Sequence, residues 1–153
     1  FGLGLAWDAV GGGIDLDLQA VIFDEGGNLV DAVYYNNLKA LRGGLTHSSD
    51  EVSGKAQGHD EIIWVNFGRL PENIALVVFV VACYRGGHLR DAPNARLSVL
   101  SEEQRVIATL PVEPSDEEVD LACALVREQS NGPAAWEFRA VRAPAQDGQH
   151  FID

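Results

Sequence analysis

The sequence predicts a mostly β chain, a two-sheet antiparallel β-sandwich with little helix. Three observations carry this prediction. Eight short segments rich in Val, Ile and aromatic residues recur along the chain, each closed by turn residues. One of them, over 74–82, is apolar without alternation and must be covered on both faces, which makes it a central strand. Helical periodicity is weak throughout. Short strands with regular turns and no repeat or linker point to two packed sheets in a single domain spanning 1–153.

Taken in order, the predicted strands cover 19–23, 29–35, 61–67, 74–84, 96–100, 104–110, 121–126 and 135–141. The first two flank Asp24-Glu25-Gly26-Gly27-Asn28, a tight hairpin connection. The third, Glu61-Ile62-Ile63-Trp64-Val65, is expected to place Trp64 in the core. Gly86-Gly87 ends the long central run, and Ser101-Glu102-Glu103 reads as a turn between the fifth and sixth strands. In the last strand Glu137, Arg139 and Arg142 interleave with Trp136, Phe138 and Val141, the pattern of a half-buried strand. Over 115–125, Ser115-Asp116-Glu117-Glu118 fits a capping box and equally an acidic loop entering a strand. Gly2-Leu3-Gly4 and Gly11-Gly12-Gly13 neither follow a predicted strand nor open a helix, so no phosphate-cradling loop is supported. The segment 38–60 lacks apolar periodicity and is rich in Gly, Ser, His and charge. Loops of that length in a compact domain are usually functional or disordered.

Charge narrows the function. Eleven basic against 23 acidic side chains leave −12 over 153 residues, with the four His neutral. Such a field repels phosphate backbones and anionic lipid, so nucleic acid is not an expected partner; metal cations and a basic protein are. The longest apolar run, 74–84, has about half the length a membrane-spanning helix needs, so no membrane insertion is expected. Cys83 and Cys123 lie in apolar stretches and read as two buried thiols rather than a disulfide, in keeping with a cytoplasmic protein.

The acids cluster. Residues 1–61 hold ten of them against Lys39, Arg42 and Lys55. Asp15-Leu16-Asp17 places two carboxylates on one face of an extended strand about 7 Å apart, where they repel unless a cation lies between them. Asn36-Asn37 adds amide oxygens. The stretch 50–61 begins with Asp50-Glu51 and ends with Asp60-Glu61, with glycines between that permit tight turns and expose carbonyls. Calcium takes roughly six to eight oxygens at about 2.3–2.6 Å from carboxylates, amides, carbonyls and water, and this inventory supplies them. The spacing is not that of an EF-hand. The predicted metal ligands are therefore Asp15, Asp17, Asn36, Asp50, Glu51, Asp60 and Glu61, with His47 and His59 flanking the acidic loop in a position to tune the site.

Gly4-Leu5-Ala6-Trp7-Asp8, Asp15-Leu16-Asp17, Tyr35-Asn36-Asn37, the stretch 50–61 and Trp136-Glu137-Phe138-Arg139-Ala140-Val141 together resemble the TerD (tellurium-resistance, general stress protein) domain family, in order and over essentially the whole chain. The resemblance implies a β-sandwich that binds calcium, often two ions, through long acidic loops. It also implies a role in stress response, including tellurite resistance, without an established catalytic activity. Four departures fall in the long loop: Glu51 for Asn, Ser53 for Thr, Lys55-Ala56-Gln57 for Gly-x-Gly, and His59 for Asp. Loss of a carboxylate and gain of a lysine predict weaker affinity, or one ion in place of two.

Catalysis is not expected. Acid/base chemistry by paired carboxylates needs one raised pKa in an apolar cleft, and no Gly-x-Ser-x-Gly elbow or nucleophile partner for a histidine occurs. The alternative to a working metal module is a structural or protein-interaction module, with the acidic stretch 113–120 as the surface for a basic partner.

Overall fold

A computed structural model describes residues 1–7, 15–48, 61–84, 87–92, 94–112, 119–128 and 135–144. Two sheets make up the fold. The first runs β4(Lys39–Ala40), β5(Leu45–His47), β6(Glu61–Val65), β1(Gly2–Ala6), β8(Arg96–Leu100), β9(Val106–Pro111). The second runs β11(Ala135–Pro144), β10(Val119–Glu128), β7(Ile74–Tyr84), β2(Asp15–Asp24), β3(Leu29–Val33). Neighbouring strands are antiparallel. Among the described residues there are short 3-10 turns but no α-helix, and no helix is long and apolar enough to cross a membrane.

The apolar run over 74–84 is the middle strand of its sheet, as its unbroken hydrophobicity requires. Val77, Phe79 and Val81 face the core between the sheets, whereas Val80, on the opposite face, is also fully buried. Leu16, Leu18, Ala20 and Ile22 of β2 pack from the same sheet, and Leu3, Leu5, Ile63, Val65, Leu97 and Val99 pack from the other. Both expected hairpins form. At the first, Asp24 Oδ1 accepts the amides of Gly26 and Asn28 at 2.9 Å each, while Gly27 takes φ +77°, a conformation that favours glycine. The Asn28 amide hydrogen bond, foremost among these contacts, holds the Asp24 carboxyl below its ordinary pKa. At the second, Ser101 and Arg105 close the turn by Ser101 N–H to Arg105 O at 2.9 Å.

Three expectations are corrected. Residues 2–6 form a central strand of the first sheet; the glycines of Gly2-Leu3-Gly4-Leu5 hid an alternation in which only Leu3 and Leu5 carry side chains into the core. Within 38–60, the part up to His47 is no loop: it folds into β4 and β5 at the sheet edge. Trp64 is not a core residue. It alternates with Ile63 and Val65, is half-buried, and packs over Gly2 on the outer face of the sheet. Over 115–125 the described part is strand β10, so the helical alternative does not hold there. The central part of the acidic loop, 49–60, and the acidic stretch 113–118 lie outside the described residues.

A methyl at position 2 would lie 2.6 Å from Trp64 Cζ3. Gly2→Ala is therefore expected to lower the unfolding free energy by about 1–2 kcal/mol, the modest end of overpacking costs, because a half-buried ring can tilt toward solvent. Urea denaturation followed by Trp fluorescence checks this, with a red-shifted native spectrum as the local signature.

Candidate metal centre

Strand β3 covers only part of β2. Their pairing runs from Phe23 opposite Leu29 to Ala20 opposite Val33, after which the chain turns away through the Tyr34–Asn37 bridge. Among the described residues, the Asp15–Gln19 end of β2 keeps β7 on one side and has no strand partner on the other. A backbone edge left this way inside a fold must find other hydrogen-bond partners.

Two side chains of the first sheet supply them. His47 follows Leu45 by two positions on β5, and Glu61 precedes Ile63 by two on β6, so both continue inward-facing series whose other members are core residues. At the end of the sandwich they reach across to Leu18. Its amide donates to Glu61 Oε2 at 2.6 Å, and His47 Nε2 lies 3.1 Å from its carbonyl oxygen. His47 Nε2 and Glu61 Oε2 are 3.5 Å apart, with the histidine side chain 1% exposed and the glutamate 14%.

Asp17 joins them from the adjacent position. It is 4% exposed and accepts a hydrogen bond from the Gln19 amide at 2.6 Å on the same face of β2. Asp17, His47 and Glu61 offer one ligand atom each within 4.8 Å of one another. Burial, foremost, pushes the Asp17 carboxyl up to about 6; the Gln19 hydrogen bond opposes this, Glu61 and Asp15 add to it, and His47 offsets part. Two carboxylates drawn together in a poorly hydrated corner repel each other, and a hard divalent cation is the species that best relieves such repulsion. The donor set fits such an ion in its carboxylates; the imidazole is the atypical member.

Of the predicted ligands, the fold brings Asp17 and Glu61 together. Asp15 begins β2 two residues earlier, exposed, and its charge adds to the rise of the Asp17 pKa. Asn36 is exposed in the turn after β3, beside Asn37, whose side-chain amide is bound to Ala32 O at 2.7 Å and to Asp31 Oδ1 at 3.3 Å. Asp50, Glu51, Asp60 and the flanking His59 lie outside the described residues. His47 is the site residue the ligand prediction left out. Its only signal in the sequence is its place at the head of the acidic loop.

The chain belongs to the TerD domain family, matching it over residues 1–151. It is similar to the tellurium resistance protein TerZ of Serratia marcescens, 31% identical over 150 residues that cover 90% of this chain and 76% of that protein. General stress protein 16U of Bacillus subtilis (strain 168) is also 31% identical, over 160 residues covering 95% of this chain and 81% of that protein. A crystal structure of a homologue of telluride resistance protein (TerD) from Streptomyces coelicolor A3(2) has the same fold, with a TM-score of 0.74 at 23% identity over 94% of this chain and 88% of that one.

Proposed function

We propose that this chain is a non-catalytic, calcium-binding domain of a cytoplasmic stress response, acting through acidic loops organised by one or two ions. The observation that carries the reading is the convergence of Asp17 and Glu61 at the open end of β2, with the Asp17 acid pushed up to about 6 by burial. Asp50, Glu51 and Asp60 would complete the oxygen set, since two carboxylates alone fall short of the six or more ligands calcium takes. Bound calcium supplies charge neutralisation and stiffens the segments that provide its ligands. Thiols at Cys83 and Cys123 accord with a reducing compartment.

Asp17 does have the raised pKa that acid/base catalysis requires. The reading takes Asp17 and Glu61 as cation ligands rather than as an acid/base pair, with Glu61 and His47 held against the backbone of Leu18. An open groove of about 270 Å³ lies elsewhere, among Phe1, Gly43, Thr46, Trp64 and Asn66.

Calorimetric titration of the chelator-stripped chain with calcium, and separately with magnesium, tests the reading. Saturable micromolar calcium binding with much weaker magnesium binding supports it, and the stoichiometry decides between one ion and two. One observation favours the alternative of an interaction module with a weakened site: Glu61 Oε2 and His47 Nε2 are both engaged by the backbone of Leu18. No heat with either metal would decide for that module, with a basic protein as the partner its −12 charge suits.

A further inference from the structure

Within the divalent-cation reading, on which this inference rests, we infer that Gln19 is a positioning residue of the site: its side-chain amide holds the Asp17 carboxylate in place beside Glu61 for the cation they share.

Asp17 and Gln19 stand two positions apart on β2, on the face opposite Leu16 and Leu18, so their side chains emerge side by side. Their cross-strand neighbours on β7 are Ala82 and Val80, and Val21 follows on the same face, all buried. A polar side chain buried in such an apolar row costs free energy unless it is hydrogen-bonded. Gln19 meets this need on Asp17, with Nε2 donating to Oδ2 at 2.6 Å. With a cation bound, Asp17 is an ionised carboxylate and only accepts. The donor end of the amide is then the end that must face it.

The contact opposes a specific failure. The ligand atoms of Asp17 and Glu61 lie within 4.8 Å of each other, and two like charges so close repel. Rotation about the side-chain bonds of Asp17 would relieve that repulsion by carrying the carboxylate out of reach of the ion. Gln19 ties Oδ2 against such a rotation. Glu61 is tied in a parallel way, its Oε2 accepting the Leu18 amide at 2.6 Å. Both acids are therefore held by donors from Leu18-Gln19, consecutive residues of β2, although they come from different sheets. A hydrogen bond to the ionised form also favours that form, so the amide lowers the cost of presenting charge in a buried corner. Supporting residues of this kind are worth about 10–100-fold in metal affinity when removed.

The test uses the full chain and Gln19→Met, which keeps the length of the side chain and removes the donor. Calcium affinity, measured by calorimetry at a temperature where both proteins are folded, is expected to fall about 10–100-fold in the variant. A purely structural role would lower the melting temperature of the cation-free chain and leave the affinity of the folded chain unchanged. Terbium(III), a luminescent substitute for calcium, reads the ligands directly through its lifetimes in ordinary and heavy water. The variant is expected to leave more water on the bound terbium than wild type does. A further readout needs no variant: in the calcium-loaded wild-type chain one Gln19 Nε2 proton is expected to resonate downfield and exchange slowly. Unchanged calcium affinity in Gln19→Met would overturn the inference. So would loss of that protected proton on calcium addition together with a shift of the Gln19 Cδ resonance, which would make the amide oxygen a ligand. Wild-type chain that binds no calcium would instead overturn the divalent-cation reading, and the inference with it.

Discussion

Removal of divalent cations is expected to lower the melting temperature by about 5–10 °C relative to the chain with calcium at one hundred times its Kd. An ion that binds only the folded state stabilises it by RT ln(1 + [L]/Kd), about 2.7 kcal/mol at that excess, and a domain of this size shifts by about 2–4 °C per kcal/mol. The effect has a local origin. Asp17 and Glu61 are brought within ligand distance of each other by strands from opposite sheets, so stripping the ion restores their repulsion at the seam between those sheets. Asp17→Ala is expected to abolish the calcium shift, because it deletes the buried donor. Differential scanning calorimetry with and without chelator measures both. A calcium shift unchanged in Asp17→Ala would remove Asp17 from the site.

The second large effect is a dependence on pH in the cation-free chain. The Asp17 carboxyl titrates near 6 in the fold, above the ordinary 3.8 it has when unfolded, with burial the main cause. Below about pH 4 both states hold the proton and Asp17 costs nothing. Between about 4 and 6 the unfolded chain gives up its proton while the folded one keeps it, so stability falls as pH rises and levels off above 6. The loss is at most about 3 kcal/mol for a displacement of this size. Other groups titrate in the same range, so the measured quantity is the difference between wild type and Asp17→Asn, which keeps the shape and the Gln19 contact but no charge. The variant is expected to gain on wild type by that amount between pH 4 and 7 in urea unfolding. Equal pH profiles would show Asp17 to be well hydrated. Calcium is expected to reverse the trend above pH 6, since the ion binds the ionised carboxylate that burial disfavours.

The strands were legible from local chemistry. The segments 74–84 and 96–100 match β7 and β8 end to end. The centrality of β7 followed from its lack of alternation. What failed locally failed for a stated reason. In β1 glycine, which lacks a side chain, occupies the positions that would have shown alternation, and at position 2 the Trp64 ring, brought over Gly2 by pairing with β6, leaves no room for a side chain. Strands β4 and β5, of two and three residues, are too short to carry a period and exist because β6 offers an edge to β5, which in turn pairs with β4.

For the site the division is similar. Composition and the clustering of acids marked Asp17 and Glu61 as candidate ligands, since like charges spaced as closely as Asp15 and Asp17 or Asp60 and Glu61 repel unless a cation is shared. Which acids converge was not readable, because convergence is set by where β3 leaves β2 and which first-sheet side chains reach the edge it exposes. His47 contacts a residue 29 positions away and Glu61 one 43 positions away. No spacing rule spans such distances. The sequence by itself determined the class of fold, the sign of the charge and the clustering of the acids. Only the tertiary structure decided that a histidine would complete the corner, because the unpaired backbone of Leu18, a product of strand pairing, is what gives that imidazole its work.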